Sequence, residues 1–350
     1  MDIGLTEHID GIPEEQFDCL DPAVGVVACY AKVKQREADW RWRVTYVHGT
    51  EGDQTKAAIP LYASCQAEWA DPAYDPRTWP LPPEVCDDCT AAGCLLVGSY
   101  EERLSGLHVD NSAREPGQLR RLLAAMARVA AEQDRSLAFP YFSSAARDAL
   151  AAASSGRIAW VRLGRDAHIR DLTDPGWESS LHNRIRYNLR HDRNLITAAG
   201  ITSGQCTWSE IEDVASELIA KHNIGKGYPD HPEFVRMRNR LWAGCPEAEL
   251  IVFTARSASV TGVETAVLWK DELDLREIAL TGEEGPERRA AYLDLAFRQP
   301  IRFAQERGVR WIRLGMEAEM VKTGRGAVLH DLHGGVLTAS DARRFADEHN

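Results

Sequence analysis

The chain has no run of about 18 consecutive apolar residues, so no transmembrane helix is expected. Its opening residues, Met1-Asp2-Ile3-Gly4-Leu5-Thr6-Glu7-His8, hold neither a basic stretch nor an apolar core, and no secretory signal is expected from them. Positive charge is scarce: 41 Lys and Arg stand against 53 Asp and Glu, a net charge of −12. That balance excludes a general nucleic-acid-binding coat, because neutralising phosphates needs a basic surface, while a local basic groove stays open. Eight cysteines in 350 residues are sparse for a disulfide frame. Without a secretory signal they read as reduced thiols of a cytoplasmic protein. No Ser-His-Asp or Cys-His signature is present, so no covalent acyl-enzyme is expected.

What is present fits a pair of folded domains. Hydrophobic residues make up 44% and charged residues 27%, which is normal for a globular chain, and 350 residues exceed one ordinary core. Trp40 to Val47 alternates like a strand, His48 to Asp53 turns, and Lys56 to Tyr62 returns as a hairpin. Residues 70 to 93, rich in Pro, Asp and Cys, read as a long irregular loop. Strands follow at Cys94–Tyr100 and Gly106–Val109. A helix is marked by Leu119, Leu122, Leu123, Met126 and Ala130, then come a strand at Ser136–Phe142, a helix at Ala145–Ala153 and a strand at Ile158–Leu163.

The second half replays this order. Thr207 and Glu210 form a capping box that starts a helix through His222. Strands are predicted at Glu249–Phe253, Val260–Trp269 and Leu273–Thr281. A helix from Glu287 to Glu306 is predicted to kink at Pro300, and a strand follows at Val309–Leu314. The pattern implies an α/β (α+β) fold of two duplicated units, residues 1–165 and 166–350, each a mixed sheet flanked by helices.

One stretch departs from the acidic background. Trp177, Leu181, Ile185, Leu189 and Ile196 recur at helical spacing and predict one helix with an apolar stripe. Arg186, Arg190 and Arg193 fall together on another face. Like charges at that spacing repel, so the cluster is explained either by an anion placed opposite or by neighbouring surface carboxylates.

The order of hairpin, strand, long helix, strand, helix and strand resembles the GNAT acetyltransferase fold. Two such units in tandem resemble the Fem-type aminoacyl transferases of peptidoglycan cross-bridges and their natural-product relatives. Three patches carry the resemblance: Trp177 leading into Arg186-Tyr187-Asn188-Leu189-Arg190, then Gly282 after Ile278–Thr281 with Tyr292 and the following helix, and Lys322-Thr323-Gly324. Arg325 stands where the family has an aromatic, and no long helical hairpin for gripping transfer RNA is legible.

The resemblance implies an enzyme that joins an activated acyl or aminoacyl group to the amine of a small amino-acid or peptide-like acceptor. The donor would be aminoacyl-tRNA or acyl-CoA, with no tightly bound cofactor. An inactive GNAT-like module that binds an anionic ligand or a protein is the alternative. Arg186, Arg190, Arg193, Tyr187, Trp177 and Gly282 are the expected donor- or substrate-binding residues, and Lys322 the stabiliser of the oxyanion or of a donor phosphate. Glu264 and Glu277, carboxylates within apolar strands, and Tyr228, after Gly225-Lys226-Gly227, are candidate proton-transfer groups. Cys86, Cys89 and Cys94 fall one ligand short of a closed zinc site, so no metal is expected.

Overall fold

A computed structural model describes residues 1–21, 24–87 and 89–349. The chain forms two compact units, Met1–Gly164 with Asp331–Asn350, and Arg165–His330.

Unit 1 opens with β1 (Asp2–Thr6) and the short helices α1 (Glu14–Phe17) and α2 (Tyr30–Glu37). The hairpin β2 (Trp42–Glu51) and β3 (Gln54–Ser64) follows. In β2 the period-2 pattern sets Trp42, Val44 and Tyr46 into the interior while Arg43 faces out. The long 70–93 segment is largely irregular, as its Pro and Asp content predicts, broken by α3 (Pro83–Cys86). Strand β4 (Cys94–Val97), helix α4 (Pro116–Glu132) and strand β5 (Ser136–Ser143) form a parallel crossover. The stripe Leu119, Leu122, Leu123, Met126 and Ala130 of α4 is buried on the sheet. Helix α5 (Ser144–Ala153) follows, and β6 (Ala159–Ile169) carries the chain into unit 2.

Unit 2 begins with α6 (Trp177–Ser180) and α7 (Asn183–Ala198), where one continuous helix was predicted. The break has a local cause. The Ser179 and Ser180 hydroxyls donate back to the carbonyls of Gly176 and Trp177, each at 2.7 Å, Leu181 is extended, and His182 caps the next helix. Then come β7 (Thr202–Cys206), α8 (Trp208–Gly225) with its capping box, and α9 (Pro232–Ala243). The antiparallel strands β8 (Ala248–Arg256), β9 (Thr261–Trp269) and β10 (Glu272–Leu280) lead to α10 (Pro286–Leu293) and α11 (Gln299–Arg307). Between these two helices a π turn spans Asp294–Arg298. The expected kink at Pro300 is therefore a widened turn just before the proline, which lacks an N–H to continue the ladder. Strand β11 (Trp311–Gly315) and helix α12 (Glu319–Thr323) complete the unit, whose strand order is β6-β11-β10-β9-β8-β7.

Strand β12 (Val328–Leu337) returns the chain to unit 1, where it pairs antiparallel with β5. That sheet runs β1-β2-β3-β4-β5-β12. Helix α13 (Ala339–Glu348) buries Ala342, Phe345 and Ala346 in the core beneath α4. The last residues thus group with unit 1 rather than with 166–330, because their apolar stripe and strand edge find partners there.

Candidate active site

The site is built where two parallel strands of unit 2 part. Strands β10 and β11 pair over three residues only, Glu272 with Trp311, Leu273 with Ile312 and Asp274 with Arg313. Past that point β10 bulges between Leu275 and Glu277 and runs on to Leu280, while β11 ends at Gly315 with φ +71°. A parting of parallel strands leaves backbone groups of each edge open to a guest.

Each strand end is held by a cation. The Arg288 guanidinium donates to the carbonyls of Leu280 (2.8 Å), Thr281 (3.0 Å) and Gly282 (3.3 Å) at the end of β10. Lys322 donates to the carbonyls of Leu314 (2.8 Å), Gly315 (2.9 Å) and Met316 (2.6 Å) at the end of β11. The turn it pins is strained, with Glu317 and Ala318 both at positive φ, 66° and 48°. Burial pulls the Lys322 ammonium down to about 8 against the opposing charges of Asp166, Glu264 and Glu317. Its three donors are all engaged, so it reaches an oxyanion only by releasing a carbonyl.

The two candidate carboxylates part company. Glu264 on β9 pairs in register with Ile278, whereas Glu277 pairs with Thr265, and alternate residues face opposite sides of a sheet. Glu264 is 4% exposed. Burial pushes its carboxyl well above the usual range, with the Lys322 ammonium pulling the other way. Glu277 instead accepts from Arg238 Nε at 2.8 Å and Asn239 Nδ2 at 2.9 Å, a paired carboxylate that holds α9 to the sheet. Arg238 also bridges to Asp230.

Next to Glu264 lies a cavity of about 490 Å³ whose lining includes Ile278, Tyr292, His222, Lys226 and Arg289. Burial first, and the charge of Glu264 second, raise the Tyr292 phenol. His222 keeps a buried Nε2 without a hydrogen-bond partner, and burial lowers its pKa. Gly282 takes φ +83° at the mouth of the loop before α10, where a Cβ would come 3.0 Å from the Ser259 carbonyl oxygen, so the position requires glycine. Tyr228 is exposed and its hydroxyl donates to Glu317 at 3.4 Å.

The basic helix is docked rather than free. Asn188 donates to the Gly324 carbonyl at 2.9 Å, and the Arg325 guanidinium grips the buried Asp192 at 2.7 and 2.9 Å. The residue standing where the resemblance calls for an aromatic thus ties α7 to the segment after α12. Of the clustered arginines, Arg193 is paired with Glu178 at 2.7 Å. Arg186 leans on Asn183 and the Ser179 carbonyl, and Arg190 is exposed. Tyr187 is exposed beside His191, and Trp177 is buried in the unit 2 core.

Sequence reasoning missed a buried ionic group next to the parting strands. Asp166 accepts from His168 Nε2 at 2.8 Å and from Arg313 Nε at 2.7 Å, and Asp274 accepts from Arg276 at 2.9 Å. Burial opposes the Asp166 charge, but Arg313 and His168 hold the carboxyl below its usual range. The signal was present as charged residues at alternate positions of otherwise apolar strands. Among the described residues no group of His, Cys, Asp and Glu is spaced to hold a metal, and no helix is long and apolar enough to cross a membrane.

No family model matches the chain, and no curated protein matches it in sequence. Solved structures do resemble it in fold. FemX aligns at a TM-score of 0.62 and 10% identity over 96% of this chain and 97% of that one. A conserved protein of unknown function from Bacteroides thetaiotaomicron aligns at 0.56 and 12% over 96% and 99%. The C-terminal domain (DUF2156) of a candidate lysylphosphatidylglycerol synthetase from Agrobacterium fabrum aligns at 0.52 and 10% over 95% of each. The architecture is the fold of FemX, as the resemblance implied.

Proposed function

We propose that the chain is an acyl- or aminoacyltransferase that forms an amide on a small amino-acid or peptide-like amine, with unit 2 holding the reaction. The observation that carries this reading is the buried Glu264 carboxyl beside the parting of β10 and β11, next to a cavity that takes in Tyr292 and Lys226. An activated carbonyl placed in that opening meets open backbone groups able to receive a developing negative charge. The acceptor nitrogen attacks the carbonyl carbon, the C–N bond forms, and the C–S or C–O bond to the donor breaks. Glu264, a carboxyl that burial raises above its usual range, takes the proton that the amine sheds and passes it to the leaving thiolate or alkoxide. The half-buried Arg186 and the exposed Arg190 of α7 are the donor-anion contacts in this scheme. A cytosolic setting, in which all eight cysteines stay thiols, belongs to the same reading.

The donor is either an acyl-CoA or an aminoacyl-tRNA. The deciding experiment offers both to the full chain with a panel of amino-acid amines and follows amide product by mass spectrometry. Product from one donor class, reduced about 100-fold or more in Glu264→Gln, is expected. Equal turnover in that variant removes the base from the scheme. One observation favours a second reading, an anion-binding module without turnover: the Lys322 ammonium is wholly engaged by backbone carbonyls. That module would bind CoA or transfer RNA and release no product with any amine.

A further inference from the structure

Unit 1 holds a cavity of about 570 Å³ that the scheme above does not use. Its lining combines apolar side chains, Leu61, Ala63, Leu95 and Val129, with two cations, Arg43 and Arg135. Four arginines of the described residues carry a buried nitrogen with no hydrogen-bond partner: Arg36, Arg135, Arg157 and Arg236. Three of these are still neutralised, Arg36 by Glu101, Arg157 by Glu348 and Arg236 by Glu233. Arg135 is the one of the four without an acid partner among the described residues. Burial and the like charge of Arg43 both lower its pKa, and Arg43 too has no acid partner among the described residues.

The carboxylates along the same cavity do not fill that role. Glu37 is spent on His8 Nδ1 at 2.9 Å, the Ile9 amide at 2.9 Å and the Tyr46 hydroxyl at 3.0 Å. Glu7 is exposed. A guanidinium nitrogen buried without an acceptor is costly, and a second cation within its field adds to the cost. A bound anion relieves both at once, and the apolar lining offers it a place for a hydrocarbon portion.

We propose that unit 1 carries a binding site for an amphiphilic anion, its phosphate or carboxylate head between Arg43 and Arg135 and its short apolar chain against Leu61, Ala63 and Leu95. The site lies in the other unit from Glu264, so it stands or falls separately from the transferase reading.

The test is calorimetric titration of the full chain at low salt with hexyl phosphate, hexanoate, hexanol and inorganic phosphate. Saturable binding of hexyl phosphate or hexanoate is expected, and whichever binds tighter identifies the head group. Hexanol and inorganic phosphate should each bind at least about tenfold more weakly, since each has half of the required chemistry. Arg135→Gln should weaken the tighter anion at least about tenfold, and Arg135→Lys should recover part of the loss. Arg43→Gln, at an exposed side chain, reads the same site should Arg135→Gln fail to fold. Equal affinity for hexanol, equal affinity for inorganic phosphate, unchanged binding in both glutamine variants, or no binding of either amphiphile would each overturn the proposal.

Discussion

The two units bring a pair of parallel strands together and then let them part, and they fill the opening differently. In unit 1, β4 and β5 pair from Cys94–Ser136 to Leu96–Ala138. The chain then folds back over the gap: Ser105 bridges Phe142, and the Ser105 amide donates to the Tyr141 carbonyl at 3.3 Å. Gly98, at φ +84°, packs so tightly that a Cβ would sit 2.5 Å from the Gly106 carbonyl oxygen. In unit 2 the corresponding opening is bordered by Lys322, Glu264 and the adjoining cavity. The register makes the contrast concrete. Two residues before the end of β4, Leu95 pairs with Ala63, and two residues before the end of β10, Ile278 pairs with Glu264. One architecture is packed shut by its own chain in unit 1 and adjoins a cavity in unit 2, and the difference rests on a few side chains.

That contrast can be broken experimentally. The largest effect is expected at the clasp that unit 2 places on α7. Arg325→Ala strands the buried Asp192 carboxylate and should cost about 3–5 kcal/mol, read as a drop in the denaturant midpoint. A loss below about 1 kcal/mol would show the clasp to be dispensable. Next comes Glu264→Ala, which gives unit 2 the residue of unit 1 at that register; turnover should fall about 100-fold or more with the melting temperature kept. Closing should matter in the other unit too: Gly98→Ala should destabilise by about 1–3 kcal/mol, through positive φ and the close carbonyl, without changing the intrinsic turnover of folded protein.

A pH series sharpens the comparison further. Lys322 is held at about 8, below its ordinary 10.5. Between those values the unfolded chain binds a proton that the folded chain has released, so unfolding free energy should rise with pH, by up to about 1.4 kcal/mol per unit. Lys322→Met should lose that rise while costing stability overall, and urea titrations from pH 8 to 10 read the slope. The smallest stability change is expected for Arg190→Glu, within about 0.5 kcal/mol because its side chain is exposed, with a somewhat larger one when Arg186→Glu is added. Donor affinity, and its dependence on salt, should still fall.

Much of this is legible in the sequence. The α4 stripe, the hairpin and the Thr207–Glu210 capping box follow from local periodicity and capping chemistry, which act over a few residues. Helix α9, strand β12 and helix α13 were not read. Pro232, the Arg-rich α9 surface and the β12 strand, interrupted by His330, Asp331, His333 and two glycines, carry weak local signals, and their positions depend on partners far along the chain. Glu264 was chosen with Glu277 on one criterion, a carboxylate in an apolar strand, yet the register set them on opposite faces and gave Glu277 to Arg238. Lys322 was picked out by its Lys-x-Gly setting, and only the fold revealed that its protons go to three carbonyls.

What the sequence determined alone was the locally coded elements, the β2–β3 hairpin, the α4 stripe and the start of α8, because hydrophobic period and caps are written locally. Which charges meet, which carboxyl loses its water and which strand opening stays unfilled were decided by the tertiary structure. Those outcomes depend on pairings across long stretches of chain, where a shift of one residue in register moves a side chain to the other face of its sheet.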